Sequence, residues 1–425
     1  MSRSPLALQG GSPVRTRPFT KWPVSGREDV DALSRVLASE KWGSGMYFGA
    51  EADSQVRRFE QRFAQYQQCR HGLAVANGTA ALEIILRASG ILPGDEVIIP
   101  DFTFIATATA VLQMGAVPVF ADVLPDTFNL DPAAVEAAIT PRTRAVMGVH
   151  WGGQPCDIDG LGAICAKRGL TFVEDACQAH GAEWKGQRVG ALGAAGAFSF
   201  QGTKNLTCGE GGLIATNHDD LYEMCYSLHT IGRRHGGAPY EHFEAGWNYR
   251  LSELQGALLN EQFRRLEPQT ELREQRVRRL FDGLGPNSGF QAQKVDPRIT
   301  RCSWYLVILR TDTAAFEGID RNTIAEALRA EGVPAGSPYA YAIHSNPVFQ
   351  EKNFRWVPGV EHLDYSHVDC PVSEQLARNT IFLPQYIFLG SDEDVDDVVT
   401  ALQKIRHYAD ELRQTSAKEY SSAGS

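Results

Sequence analysis

The residues best suited to chemistry surround Lys204, in the stretch SFQGTKNLTCGEGG over 199–212. The run AAGAFSF that leads into it is small and apolar, as in a buried strand, and gives way to a glycine-rich turn. A lysine at such a strand end can lie against a flat cofactor, because glycine lets the backbone approach closely. Its amine could then form a Schiff base with a carbonyl group. Most lysines are solvated surface residues, so Lys204 alone is a weak signal.

Asp175 strengthens that signal. It ends the apolar run LTFVED, and ligand sites of open α/β sheets lie at the carboxyl ends of strands. A carboxylate there can pair with a protonated pyridine nitrogen and keep a pyridoxal ring acting as an electron sink. The chain between Asp175 and Lys204 is long enough for a short hairpin and one returning strand. An aspartate at a strand end is also a common helix cap, but the two residues together favour a pyridoxal cofactor.

Three further positions fit the same cofactor. The triplet Asn77-Gly78-Thr79 lies between a strand pattern and a helix pattern, so a helix N-terminus there would offer N–H groups to a phosphate. The simpler interpretation is that Asn77 or Thr79 only caps the helix. Ser199 could give a hydroxyl to the same phosphate. Phe104, in PDFTFIATATA, could stack on a ring, although its spacing alone favours a place in the core.

Competing motifs are weak. The run GALGAAG lacks the G-x-G-x-x-G spacing of dinucleotide sites, and a strand pattern follows it where a helix is needed. The sequence has no P-loop and no G-x-S-x-G motif, and its 11 histidines show no metal-ligand spacing. An NAD or ATP enzyme is therefore poorly supported, and no metal is expected.

Composition excludes several classes of protein. The chain has 425 residues, 43% of them hydrophobic, and a net charge of −10. The length predicts at least two structural units, and the acidic balance argues against nucleic acid or an anionic membrane as the partner. The eight cysteines form no CxxC pair, the N-terminus has no apolar export signal, and no 18-residue apolar run is present. These features favour a soluble cytoplasmic protein with reduced thiols and no membrane partner.

The order of patterns predicts the architecture. From residue 56 to about residue 216, helix and strand patterns alternate, which is typical of a mostly parallel sheet covered on both faces. The amphipathic run from Leu251 to about Gly285 contains Pro268, and we interpret it as an interdomain connector with a kink at the proline. The remaining third predicts a smaller α+β domain, whose last helix begins at Ser391 with an approximate capping box.

Seven segments, in their order and spacing, resemble the DegT/DnrJ/EryC1/StrS family of aminotransferases that depend on pyridoxal 5'-phosphate (PLP). The segments are FEQRFAQY, NGTAAL, GDEVIIPDFTFIATATAVLQMGAVPVFADV, AVMGVHWGGQPCDID, VEDACQAHGA, FSFQGTKNLTCGEGG and NYRLSELQGALL. The resemblance implies an α/β fold of the aspartate-aminotransferase type (PLP fold type I), in which a large domain has a mostly parallel seven-stranded sheet. We expect this domain over 16–265, a small α+β domain over 266–412, residues 1–15 packed nearby and a disordered tail over 413–425.

The resemblance also implies a role for each candidate residue. Lys204 is similar to the lysine that forms the Schiff base with PLP and moves the proton. Asp175 is similar to the partner of the pyridinium nitrogen, and Gln178 to the residue near the phenolic oxygen of the cofactor. Gly78, Thr79 and Ser199 correspond to phosphate ligands, and Phe104 occupies the ring-stacking position.

Two more positions follow from the same resemblance. Asn248, in WNYR, corresponds to a phosphate ligand donated by the neighbouring subunit, which implies a homodimer whose active sites are shared between chains. His150 falls in the substrate-side loop of the family. A substrate contact and a buried structural role are equally open for it.

The retained lysine at position 204 implies a transaminase, since family members that act as dehydratases carry histidine there. The expected donor is glutamine or glutamate. The opening ALQGGSPVRTRPFTKWP and the blocks PYAYAIHSNPVF and VSEQLARNTIFLPQYIFL resemble the branch that acts on keto-cyclitols such as inososes, in aminoglycoside-type biosynthesis. A nucleotide-linked keto-sugar and the cyclic keto acid of amino-hydroxybenzoate synthases remain alternatives. A non-catalytic PLP-binding regulator is disfavoured, because the site residues are in place and no DNA-binding segment is fused to them.

Overall fold

The computed structural model describes residues 6–44, 54–238 and 240–413. Its α-helices are α1 (Arg27–Ser39), α2 (Gln55–Tyr66), α3 (Gly78–Ala88), α4 (Ala106–Gln113), α5 (Pro132–Ala138), α6 (Ile158–Arg168), α7 (Asp219–His229), α8 (Glu253–Leu284), α9 (Arg321–Ala330), α10 (Pro347–Gln350), α11 (Pro371–Asn379) and α12 (Asp392–His407). Its strands are β1 (His71–Val75), β2 (Glu96–Pro100), β3 (Val117–Ala121), β4 (Thr143–Val149), β5 (Thr171–Asp175), β6 (Glu183–Trp184), β7 (Gln187–Arg188), β8 (Ala195–Ser199), β9 (Gly212–Thr216), β10 (Phe290–Ala292), β11 (Ile299–Arg301), β12 (Leu306–Thr311) and β13 (Thr380–Pro384).

The central sheet has seven strands in the order β1-β9-β8-β5-β4-β2-β3. Strand β9 runs antiparallel to both of its neighbours, and the remaining pairs are parallel. Strands β2, β8 and β9 are buried along their whole length, because α3, α4 and α7 cover one face of the sheet and α2, α6 and α8 cover the other. The predicted mostly parallel sheet, covered on both faces, is confirmed.

The sheet brings the two strongest sequence signals to one edge. Asp175 ends β5, which pairs in parallel with β8 so that Asp175 lies opposite Ala197. Lys204 lies in the loop between β8 and β9. The chain between the two residues forms the β6–β7 hairpin and then returns as β8, as the spacing predicted.

Helix α8 is the longest element, with 32 residues, and its N-terminus is closed by a capping box between Ser252 and Gln255. It runs through Pro268 as one helix and packs against α1, α2 and α12. The expected boundary at residue 265 falls inside this helix, so the division into domains stays a prediction.

The C-terminal part is smaller and has its own antiparallel sheet, in the order β10-β12-β13. Helix α12 begins with the capping box of Ser391 and Asp394 that the sequence predicted. Apart from Arg413, which is helical, the predicted disordered tail lies outside the described residues. Within the part of the chain that the structure describes, no helix combines the length and apolarity needed to cross a bilayer. All eight cysteines are free.

The N-terminal segment is bound to the C-terminal part through Glu331, which is fully buried. One carboxylate oxygen of Glu331 accepts the N–H of Ala7 (2.9 Å), and the other accepts the N–H of Val14 (3.0 Å) and the ammonium of Lys404 (2.7 Å). Through these bonds Ala7 and Val14 are held against the C-terminal part. The same segment continues to Trp22, whose indole N–H donates to the carbonyl of Gly202 near Lys204 (3.0 Å).

We expect Glu331→Gln to destabilise the protein by about 3 kcal/mol, because removing one partner of a buried ion pair leaves the other charge uncompensated. Thermal unfolding followed by circular dichroism should show a lower Tm than wild type. Glu326→Gln is the matched control, since Glu326 lies on α9, which ends just before Glu331, and is exposed. An equal Tm for both variants would contradict the proposed anchoring role.

Candidate active site

A cavity of about 790 Å³ lies at the carboxyl ends of β5 and β8. The turns before α3 and α4 and the loop of Lys204 form one side, and residues of the C-terminal part, together with Trp22, form the other. Seven of the eight residues predicted for the site line this cavity, namely Gly78, Thr79, Phe104, Asp175, Gln178, Ser199 and Lys204.

The carboxylate of Asp175 is held from two sides. The hydroxyl of Thr107 donates to its Oδ2 (2.8 Å), and the backbone N–H of Cys177 donates to its Oδ1 (3.2 Å). Asp175 is only 6% exposed, yet it lines the cavity. Because each carboxylate oxygen can accept more than one hydrogen bond, the group can still accept from a protonated ring nitrogen.

The amine of Lys204 faces an aromatic ring. Its Nζ lies 4.0 Å from the centroid of the Tyr305 ring, a distance at which an ammonium is attracted to the π face. The hydroxyl of Thr203 donates to the side-chain oxygen of Gln201 (2.7 Å). The Thr203 hydroxyl has one hydrogen, so the Tyr305 phenol must be the donor in its 2.8 Å bond to Thr203. Tyr305 therefore contacts the loop of Lys204 through both its hydroxyl and its ring.

The N-terminus of α3 reaches the cavity through Gly78 and Thr79. The side chain of Asn77 caps the helix by accepting the N–H of Ala80 (2.8 Å), so the capping interpretation of Asn77 is confirmed. A Cβ atom at Gly78 would lie 2.7 Å from the sulfur of Cys177 and 2.9 Å from the Cβ of Ser199, which only glycine avoids. The N-terminus of α3, together with the hydroxyls of Thr79 and Ser199, is therefore suited to binding an anion.

Phe104 and Gln178 are the remaining predicted site residues that line the cavity. Spacing alone favoured the core for Phe104, and that interpretation is wrong, since the side chain is 55% exposed on the cavity wall. Phe104 lies in the turn before α4, which is closed by a hydrogen bond from the N–H of Thr107 to the Phe104 carbonyl (3.1 Å). Gln178 is buried, and its side-chain oxygen accepts the N–H of Gly152 (2.9 Å), which leaves its NH₂ group as the donor.

Two candidates lie away from the cavity. Asn248 is exposed, whereas the side chain of its neighbour Tyr249 lines the cavity, as expected when side chains alternate along an extended segment. His150 is fully buried: its Nε2 lies 3.0 Å from the carboxylate of Glu174, and its Nδ1 accepts the N–H of Cys156 (3.1 Å). Of the two roles left open for His150, the structure supports the buried one.

Sequence reasoning missed several residues that the fold brings to the site. Thr107 contacts Asp175, and Tyr305 contacts Lys204. Nothing in the sequence distinguishes Thr107 from Thr109 in the same helix, and Tyr305 is distant from Lys204 along the chain. His180 is fully buried, and its burial together with the charge of Lys204 lowers the pKa of its imidazole to about 3, so the ring is neutral.

The lining of the cavity is aromatic and poor in cations. Among the lining residues that the structure describes, Lys204 is the sole lysine or arginine. Two glutamates, Glu83 and Glu210, also lie on the wall, and Tyr249 donates to the carboxylate of Glu83 (3.2 Å). Burial raises the pKa of Glu83. The aromatic lining residues are Trp22, Phe104, Tyr249, Tyr305, Tyr339, Phe382 and Tyr386.

The sheet topology, an aspartate at the end of β5 and a lysine in the loop after the neighbouring strand β8 are those of the fold-type-I aminotransferases. The chain belongs to the DegT/DnrJ/EryC1/StrS aminotransferase family, whose model matches residues 24–403. The family resemblance inferred from the sequence is thereby confirmed, and the protein is an aminotransferase.

The chain is similar to proteins with named substrates. It is 40% identical to the L-glutamine:2-deoxy-scyllo-inosose aminotransferase of Streptoalloteichus tenebrarius, over 96% of this chain and 99% of that one. The protein of the same name from Streptomyces paromomycinus is also 40% identical, with the same coverage. Among solved structures, 3-amino-5-hydroxybenzoic acid synthase matches with a TM-score of 0.83 and 34% identity, over 92% of this chain and 98% of that one.

Proposed function

We propose that this aminotransferase uses PLP to move an amino group from glutamine or glutamate to a keto-cyclitol of the inosose type. The observation that carries this choice of acceptor is the lining of the cavity, whose described residues combine aromatic faces and phenols with a single cationic side chain. The similarity to two 2-deoxy-scyllo-inosose aminotransferases supports the same acceptor and favours glutamine as the donor.

The residues present fit PLP. The N–H groups of Gly78 and Thr79 and the hydroxyls of Thr79 and Ser199 suit its phosphate, in a cradle that a Cβ at Gly78 would fill. Asp175 would hold the ring nitrogen, and Lys204 would bind the aldehyde carbon. In the same cavity, Phe104 would lie against the ring and the NH₂ group of Gln178 would donate to its phenolic oxygen.

When bound, PLP supplies an electron sink for negative charge on the substrate carbon. Asp175 keeps a proton on the ring nitrogen, because its carboxylate is buried and fixed by Thr107 and Cys177. The free amine of Lys204 would accept the proton from the substrate carbon and hold it as an ammonium until it is donated again. A positioned acid–base group of this kind contributes a factor of about 10²–10⁴ in rate.

The wall of the cavity suits a polyol ring. Aromatic side chains can pack against the apolar faces of a cyclitol, and their phenols can exchange hydrogen bonds with its hydroxyls. A nucleotide diphosphate carries negative charge on both phosphates, which arginine or lysine binds best, and Lys204 is already committed to the cofactor. The described lining of one chain therefore favours a keto-cyclitol over a nucleotide-linked keto-sugar.

A homodimer completes this proposal. Asn248 is exposed and lies outside the cavity of its own chain, although Tyr249 next to it lines that cavity. It is thus available to bind the phosphate in the site of a second copy, as the family resemblance implies. Sedimentation of the purified holoenzyme as a monomer would contradict this arrangement.

The decisive experiment measures both halves of the reaction. Adding L-glutamine to the PLP-loaded protein should shift the cofactor absorbance, and adding 2-deoxy-scyllo-inosose should restore it and yield the amine, detected by mass spectrometry. We expect kcat/KM for the inosose to exceed that for a nucleotide-linked keto-hexose by at least about 100-fold, the cost of leaving a diphosphate without charged partners.

Parallel reactions with a nucleotide-linked keto-hexose and with a cyclic keto acid serve as controls. Amination of the nucleotide sugar with no reaction of the inosose would overturn the proposed acceptor. A cofactor band that neither glutamine nor glutamate shifts would overturn the proposed amino donors.

A further inference from the structure

We propose that Thr107 is a positioning residue for catalysis, and that it acts by fixing the carboxylate of Asp175. This inference rests on the proposed function, since it concerns the bond between Asp175 and the ring nitrogen of PLP. Thr107 would touch neither substrate nor cofactor: it is fully buried and is absent from the residues that line the cavity.

The geometry of the hydrogen bond is unambiguous. An ionised carboxylate can only accept, so the hydroxyl of Thr107 donates its single hydrogen to Oδ2 of Asp175 over 2.8 Å. The backbone N–H of Cys177 binds Oδ1 (3.2 Å), and the backbone carbonyl of Asp175 accepts the N–H of His150 (3.1 Å). With one donor on each oxygen, rotation of the carboxylate would break a buried hydrogen bond to a charged group, which is costly.

Thr107 also couples this carboxylate to the ring-stacking side of the site. Its backbone N–H donates to the carbonyl of Phe104 (3.1 Å) in the turn that begins α4. One short turn therefore presents an aromatic ring to the cavity and a hydroxyl to Asp175. The same turn therefore positions Phe104, which would contact the face of the PLP ring, and Asp175, which would contact its nitrogen.

Thr107→Val and Thr107→Ser separate the hydroxyl from the packing. Valine has nearly the same shape but cannot donate, whereas serine keeps the donor and loses the methyl group. Thr109→Val is the matched control, because Thr109 lies in the same helix and its hydroxyl donates to the backbone carbonyl of Ala106 (3.5 Å). Each variant is measured for the Kd of PLP, the pH titration of the bound-cofactor absorbance, kcat with glutamine, and the Tm without cofactor.

We expect Thr107→Val to bind PLP about tenfold more weakly, to shift the pH titration of the absorbance, and to lower kcat by roughly 10-fold to 100-fold, as for a lost hydrogen bond to a charged group. Thr107→Ser and Thr109→Val should stay close to wild type in the Kd of PLP, in the pH titration and in kcat. Wild-type Kd and titration in Thr107→Val would overturn the proposal, as would equal losses in the serine variant. If wild-type protein binds no PLP, the proposed function fails instead.

Discussion

Replacing Lys204 by alanine is expected to lower the rate of transamination by about 10⁴-fold, at the upper end of what a positioned acid–base group contributes. The reason is that one side chain both binds the cofactor carbon and moves the proton. Among the described residues lining the cavity no second lysine is present to substitute for it. The absorbance band of the lysine-linked cofactor should be absent from Lys204→Ala, although PLP can still bind through its phosphate.

Lys204→Arg is the sharper test of the same prediction. A guanidinium keeps the positive charge that Tyr305 attracts, but it does not lose its proton in proteins and so can neither link to PLP nor accept a proton. We expect a loss as large as in the alanine variant. Lys185→Ala is the control, since Lys185 is exposed and pairs with Asp159 (2.6 Å). Substantial activity in Lys204→Arg would show that charge alone is required and would contradict the assigned role.

Asp175→Asn should produce the second largest loss, about 10²–10³-fold in kcat. Truncating one partner of a buried, hydrogen-bonded charge pair costs about 2–5 kcal/mol. Asparagine has nearly the same shape but carries no charge to hold the proton on the ring nitrogen. Its NH₂ group must also face either the hydroxyl of Thr107 or the N–H of Cys177, both of which donate to the carboxylate in wild type.

Steady-state kinetics with glutamine, together with the Kd of PLP, measure this effect. The control is Asp159→Asn, which removes a half-exposed surface carboxylate from α6. A normal kcat combined with weaker PLP binding would mean that Asp175 only anchors the cofactor. Normal values of both quantities would remove Asp175 from the proposed site.

The sequence alone determined the fold class and the strongest part of the site. Apolar runs of strand length between helical patterns require a sheet covered on both faces, because such strands expose no polar side. Asp175 and Lys204 could be singled out because one ends a buried strand and the other follows one, and strand ends of α/β sheets meet at one edge. The motif order then identified the family. The lysine retained at position 204 indicated an aminotransferase, and the role of each residue within the site stays a prediction that the variants above test.

Tertiary structure decided what spacing could not. Phe104 has the sequence context of a core residue, but the turn before α4 leaves it exposed on the cavity wall. Thr107 resembles any helical threonine until the sheet brings Asp175 within 2.8 Å of its hydroxyl. Trp22 and Tyr305 reach the cavity from the N-terminal segment and from the C-terminal part. Such contacts join residues far apart in the chain, and they depend on how whole helices and strands pack. A local sequence pattern indicates only the type of element and which of its faces is buried.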